Sequence, residues 1–240
     1  MIDIHSHILP GIDDGAKDIE ESISILREMK AQGITTVVAT PHFYIQDQSL
    51  EDFLANRNEA YNKLLEVIDK DEELPKIILG SEAYFSPALS DIDVSELCIG
   101  DSDYFILELP YQEFTSSVIR QINDFINRCD KIPIFAHLER YFRFTSLEKI
   151  MEVYEYGVLA QMNSSSLLVH TGKKASFELI KRGCIQVIGT DAHNLTSRPP
   201  SMSFAKRLLD KKIGNDFFEG MQKKAQAILD NDEYDTVISM

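Results

Sequence analysis

The sequence predicts an α/β protein in which seven parallel strands close into a barrel, and three observations predict it. Short apolar runs alternate with amphipathic helical stretches along the whole chain, which is the pattern of βα repetition and a parallel sheet. The length of 240 residues suits one large domain spanning 1–240, since α/β barrels reach this size unbroken. Six of the seven apolar runs end near a His, Asp or Glu. Such residues, scattered in sequence, converge only where a fold brings all strand ends to one rim. An open doubly wound sheet, the alternative architecture, offers a switch-point crevice reached by fewer strands.

Each element follows from local chemistry. Residues 2–5 form the first strand and run into a His5-Ser6-His7 pair. Asp18 is an N-cap, with Glu21 three residues on, before Ile19, Ile23, Leu26 and Met29 at helical spacing; Gly33 ends that helix. Residues 34–40 make the second strand, stopped by Pro41, and Ser49 caps a long helix reaching residue 70. Strands over 76–82 and 104–109 flank a stretch without clear pattern. Then come helix 115–128, strand 132–137, helix 146–156 ended by Gly157, strand 159–163, a helix near 174–182 ended by Gly183, and strand 185–190. Helices near 201–212 and 216–229 finish the chain. His170 falls in a loop outside the ligand pattern and reads as an ordinary surface histidine.

Composition narrows the function classes. The net charge of −15, with no basic stripe, opposes nucleic acid. No apolar run is long enough to span a bilayer, and the N-terminus lacks the basic start and apolar core of a secretory signal. The three cysteines, Cys98, Cys129 and Cys184, are odd in number and far apart, which points to a reducing cytoplasm rather than a disulfide framework. None of them begins a Cys-x5-Arg loop, so cysteine-dependent phosphate chemistry is excluded. There is no Walker A loop and no Gly-x-Ser-x-Gly elbow.

In order along the chain, the polar residues at or just past strand ends are His5, His7, Asp14, His42, Glu82, Glu108, His137, Asp191 and His193. Singly, each has a bland explanation, such as a hydrogen-bonded core histidine for His42. Nine on one rim do not. They exceed what one tetrahedral ion needs and suit two or three, with a carboxylate such as Glu82 bridging. Imidazole and carboxylate donors without thiolates favour Zn, Mn or Fe over Ca, Mg or a structural zinc. Clustered divalent ions generate hydroxide near neutral pH and clamp the oxygens of a displacement.

These residues resemble the PHP (polymerase and histidinol phosphatase) superfamily. His5-Ser6-His7 with Asp13-Asp14-Gly15 resembles its first motif, Thr40-Pro41-His42 the second, Ala136-His137 the third and Asp191-Ala192-His193 the fourth. The match is closer to the bacterial PHP-type protein tyrosine phosphatases encoded with capsule and exopolysaccharide genes. It includes the first eighteen residues, His137-Leu138-Glu139-Arg140, and Asp191-Ala192-His193-Asn194 followed by Arg198-Pro199-Pro200. The resemblance implies a distorted (β/α)7 TIM-like barrel with three metals. His5, His7, Glu82 and Asp191 would hold one ion, Glu82, Glu108 and His137 a second, and Asp14, His42 and His193 a third. It makes manganese the favoured metal, with zinc or iron in relatives, and makes Arg140 and Arg198 the phosphoryl-binding residues. Asp14, His42 and His193, with the two arginines, would carry the catalysis. The implied partner is the phosphorylated tyrosine-rich tail of a bacterial tyrosine kinase that controls polysaccharide export.

Three divalent ions would outweigh the four ligating carboxylates by about two charges, enough to attract a phosphate dianion to an acidic protein. Phe43, Tyr44, Tyr84, Phe85, Tyr111, Tyr141 and Phe142 follow the ligands and are placed to line an entrance for a phenyl ring. The alternatives are a small-molecule phosphomonoesterase such as histidinol-phosphate phosphatase, an amidohydrolase, whose bridging lysine has no counterpart, and a metal-dependent binding module on the kinase.

Overall fold

The computed structural model describes residues 1–68, 74–154 and 157–240. Its sheet segments are β1 Ile2–Ser6, β2 Thr36–Ala39, β3 His42–Phe43, β4 Lys76–Leu79, β5 Glu82–Tyr84, β6 Tyr104–Glu108, β7 Ile132–Phe135, β8 Leu159–Asn163 and β9 Val187–Gly189. Every pairing is parallel, in the orders β1-β2-β4 and β3-β5-β6-β7-β8-β9. β2 and β3 are halves of one stave, broken at Thr40-Pro41, where proline has no N–H for the ladder. β4 and β5 are halves of another, broken at Gly80-Ser81. The strand expected over 34–40 therefore resumes after its break, and the one expected over 76–82 is interrupted at Gly80-Ser81 and runs on to Tyr84.

Seven staves result, and the last returns to the first. Ser6 bridges Ala192 in parallel. The His7 N–H donates to the Ala192 carbonyl at 2.9 Å and the Asp191 N–H to the His5 carbonyl at 2.8 Å. The molecule is thus a distorted (β/α)7 barrel in one domain.

Outside it lie α1 Ile19–Ala31, α2 Leu50–Ile68, α3 Ser116–Arg128, α4 Leu147–Tyr154, α5 His170–Lys181, α6 Met202–Lys212, α7 Asn215–Leu229 and α8 Tyr234–Ser239. The Asp18 carboxylate caps α1 by accepting from the Glu21 N–H at 2.9 Å, and Thr115 caps α3 on Val118. The helix ends expected at 69–70 and 155–156 lie outside the described residues. α5 begins at His170 rather than near residue 174, so His170 is an exposed first-turn residue and not part of a loop. No side chain caps that N-terminus, so the sequence carried no start signal. α8 was not expected; its six residues bury one valine, Val237, too little for a period to show. No helix among the described residues is long and apolar enough to cross a membrane.

The barrel interior follows from strand parity. Ile4, Val38, Ile106, Ile134, Leu159 and Val187 form one buried cluster, with Ile78 packed against it, so every stave contributes. Their neighbours Val37, Ile77, Phe105, Phe135, Ala160 and Ile188 belong to a separate cluster under the helices. Ala225, Ala227 and Ile228 of α7 join the interior cluster and plug the barrel at the end opposite the ligands.

The first stave breaks parity. Ile4 serves the interior, yet the next residue, His5, also points there. Strict alternation forbids this. Between β1 and β2 the register runs from Asp3 opposite Val37 to Ser6 opposite Ala39, three residues against two. That bulge aims His5 inward. His5 and His7, two residues apart, share one side of the strand, and the bulge turns that side to the interior.

Room for His5 comes from Gly189. A Cβ there would sit 2.6 Å from the His5 Cβ and 2.9 Å from Gln161 Nε2. Gly189→Ala is expected to destabilise the fold by about 1–3 kcal/mol and to lower Tm by several degrees in a thermal melt, because neither neighbour can retreat without moving a stave.

Candidate metal centre

Above the apolar layer, the next inward positions of the staves carry charge. His42 opens β3, Glu82 opens β5 and Glu108 closes β6. His137 and Asp191 lie two residues past β7 and β9. All nine residues singled out in the sequence converge at this rim, eight of them buried or half-buried and Asp14 exposed.

Glu82 stands at the middle. Its Oε2 lies 3.0 Å from His42 Nδ1 and 3.3 Å from both His5 Nε2 and His7 Nε2. Its Oε1 lies 3.1 Å from His137 Nε2, which is also 3.3 Å from Glu108 Oε1. Asp191 Oδ1 approaches His7 Nε2 at 3.4 Å and His5 Nε2 at 3.7 Å. On the open side, Asp14 Oδ1 is 3.3 Å from His193 Nε2 and 3.5 Å from His42 Nε2.

Among the described residues, three sets have donor atoms within 4.8 Å of one another: His7, Asp14, His42 and His193; His5, His7 and Glu82; and His42, Glu82 and Glu108. Glu82 Oε2, His42 Nδ1, His137 Nδ1 and His193 Nε2 are buried with no hydrogen-bond partner among the described residues. Buried polar atoms are rarely left so. Of these, Glu82 Oε2 and His42 Nδ1 lie 3.0 Å apart and His193 Nε2 lies 3.3 Å from Asp14 Oδ1, so unbonded donor atoms gather as a divalent cation needs, and the nitrogen and oxygen donor set fits Mn, Zn or Fe.

Without a cation, protons take its place. Burial opposes charge on His7, but Asp13 outweighs it and holds the imidazole well above its ordinary value. Burial and Arg140 press His137 down, yet its bonds to Glu108 and Glu82 lift it to about 9. Burial opposes ionisation of Glu82 and Asp191, but the surrounding cations keep both far below the usual carboxylate range. Burial, with the charge on His7, holds His193 down at about 4, so its ring is neutral and its Nε2 lone pair free.

A second layer orients the donors. Asp13 accepts from His7 Nδ1 at 2.7 Å, from the His42 N–H at 3.1 Å and from the Gly15 N–H at 2.9 Å. It thus presents His7 Nε2 to the centre. The stave without a predicted ligand, β8, supplies amides instead. Gln161 Oε1 accepts the His137 N–H at 2.7 Å and lies 3.3 Å from His5 Nδ1; Asn163 Nδ2 donates to Asp191 Oδ2 at 2.7 Å. Asp3, raised by burial to about 6, accepts from the Thr190 N–H at 2.8 Å and ties the barrel seam below the site. Strand parity counted from Leu159 would have found Gln161 and Asn163. His137 and Asp191 both have positive φ, 34° and 52°, a strain that clusters at functional sites.

Arg140 and Arg198 flank the mouth. Arg140 pairs with Asp191 Oδ2 and lies 3.4 Å from the Tyr111 hydroxyl. Arg198 pairs with Asp14 Oδ2 at 2.5 Å. Tyr111 donates to Glu108 at 2.5 Å. Of the aromatic residues expected at the entrance, Phe43, Phe85 and Tyr141 are instead buried packing residues, the Tyr141 hydroxyl bridging the Leu109 backbone. Tyr44, Tyr84, Tyr111 and Phe142 remain accessible, with the Tyr44 and Tyr84 rings 5.4 Å apart.

The chain belongs to the CpsB/CapC family of capsular polysaccharide synthesis, whose model matches residues 1–230. It is 33% identical to tyrosine-protein phosphatase CpsB of Streptococcus pneumoniae, covering 89% of this chain and 91% of that one. It is 29% identical to tyrosine-protein phosphatase YwqE of Bacillus subtilis, covering 96% and 92%. A crystal structure from work on YwqE of Bacillus subtilis and CpsB of Streptococcus pneumoniae, unique metal-dependent tyrosine phosphatases, superposes with a TM-score of 0.83 at 28% identity, over 97% of this chain and 96% of that one. Histidinol phosphate phosphatase of Lactococcus lactis shares the fold, with a TM-score of 0.60 at 20% identity over 89% and 93%.

Metal binding must displace the protons on His7 and His137. Manganese affinity is expected to rise from pH 6.5 to about 9, the ordinary and shifted values of His137, with proton release seen by calorimetry in buffers of different ionisation enthalpy. In chelator-treated protein the sign reverses. The His137 imidazolium lends stability that is complete below pH 6.5 and lost as pH climbs through about 9, so Tm should fall across that window. A flat affinity profile would contradict the protonated cluster.

Proposed function

We propose that this chain is a metal-dependent protein-tyrosine phosphatase, a hydrolase of phosphoric monoesters, with residues 1–240 acting as one PHP-type domain. The observation that carries this is the convergence of nine imidazole and carboxylate side chains at one rim, four of the histidines around Glu82, between two arginines, in a family whose named members are tyrosine-protein phosphatases. His5, His7, Glu82 and Asp191 would hold one ion, Glu82, Glu108 and His137 a second, and Asp14, His42 and His193 a third. Manganese is the favoured metal, and zinc and iron suit the same donors. Such ions supply Lewis acidity toward phosphoryl oxygen and hydroxide near neutral pH.

The protein's own groups do the rest. The guanidinium forks of Arg140 and Arg198, now on carboxylates of the cluster, turn to the outer oxygens of a phosphate dianion. Burial, then Glu108, raises the Tyr111 hydroxyl far above its ordinary value, so it stays a donor at the mouth. The paired rings of Tyr44 and Tyr84 offer faces for a phenyl group. A phenolate leaving group, with a pKa of about 10, departs with less proton assistance than an alkoxide. The substrate we assign is the phosphorylated tyrosine-rich tail of a bacterial tyrosine kinase governing capsular and exopolysaccharide synthesis, met in the cytoplasm.

Chelation should abolish hydrolysis of a phosphotyrosine peptide and manganese should restore it, while histidinol phosphate is turned over poorly; the reverse preference would overturn the substrate assignment. His42→Ala and Asp191→Ala should each remove turnover while the far-ultraviolet circular dichroism stays near that of the parent. Arg140→Ala should cut kcat/KM by about 100-fold with manganese per chain unchanged, as expected for loss of a charged contact to the reacting group. Metal loss in step with activity would refute the phosphoryl-binding role.

A further inference from the structure

A cleft of about 890 Å³ leads away from Arg140 and Arg198, between the turn after β7 and the start of α5. Its far wall exposes three large apolar side chains, Phe144 at 39%, Leu168 at 50% and Val169 at 55%. Arg143, exposed beside them, has no carboxylate partner among the described residues. Glu139 is the one acidic residue in the cleft wall, and its Oε1 already accepts from the Asn163 N–H at 3.2 Å and from the Ser166 hydroxyl. Arg140 and Arg198 are paired with Asp191 and Asp14 at the inner end, so Arg143 is the uncompensated charge of the outer wall, a cationic spot on a chain of net charge −15.

Grouped apolar side chains left in water mark binding surfaces. The cleft is continuous with the two arginines assigned to the phosphoryl group, yet its outer part lies beyond them. We propose that it receives the polypeptide segment adjoining the phosphotyrosine of a protein substrate. An aliphatic or aromatic side chain of that segment packs on Phe144, Leu168 and Val169, and an acidic one pairs with Arg143. This rests on the phosphotyrosine reading and extends it. The cleft selects protein over free phosphotyrosine, and acidic-apolar flanks over basic ones.

The test uses the manganese-loaded full chain on p-nitrophenyl phosphate, free phosphotyrosine, and three phosphotyrosine peptides with Glu and Leu, Gly, or Lys flanks. The parent protein should favour the Glu-Leu peptide over the Gly peptide by about tenfold in kcat/KM, equal to 1.4 kcal/mol. Leu168→Ser with Val169→Ser should erase that gain through KM, leaving kcat and turnover of p-nitrophenyl phosphate unchanged. Arg143→Glu should move the preference toward Lys flanks. A parent enzyme that hydrolyses all the peptides and free phosphotyrosine alike would overturn the cleft's role while leaving the phosphatase reading intact. No hydrolysis of any aryl phosphate would overturn that reading, and the cleft's role with it. Sedimentation supplies one more outcome. If the double variant turned a dimer into a monomer with peptide KM unaltered, the wall would be a contact between copies of this chain, and the proposal would fall.

Discussion

Everything at the rim depends on one buried carboxylate. Glu82 Oε2 has three imidazole nitrogens within 3.3 Å and hydrogen-bonds none of them. Burying that much charge is unfavourable unless it is neutralised in place. The fold supplies partial relief through protons on the histidines and guanidinium groups on the two outer carboxylates. These stand-ins leave the central lone pairs unbonded, which is the electrostatic condition for taking up small cations.

Holding such groups together requires local departures from regular structure. A bulge aims His5 inward, and an absent side chain at position 189 makes space for it. His137 and Asp191 accept left-handed backbone at a cost of about 1–3 kcal/mol each. Both are pinned there, His137 by Gln161 through its N–H and Asp191 by the His5 carbonyl through its own. The well-packed lower barrel, with one aliphatic residue from every stave, is what makes these strains affordable.

The barrel and the nine donors were legible in the sequence because strands announce themselves by apolar runs and ligands sit at their ends. What was missed has physical reasons. Gln161 and Asn163 do not titrate and resemble any buried amide until strand parity is counted from Leu159. Asp3 lies in the middle of an apolar run and reads as an anomaly, not as the partner of Thr190 across the seam. Pro41 announces a strand end but says nothing of the strand resuming at His42. The start of α5 has no capping side chain, and the bulge in β1 leaves no compositional trace.

The seam between β1 and the segment around Ala192 joins the first and last staves of the barrel in time as well as in space. A ribosome makes His5 and His7 before Asp191 and the stave that closes the ring, which is the last of the seven to be made. Until that stave exists the ring cannot close, and an open sheet has an unpaired edge, a state that invites mispairing. The meeting of His5 and His7 with Asp191 therefore waits for the late segment to emerge from the exit tunnel, so the buried cluster at the rim is complete only after the other staves are in place.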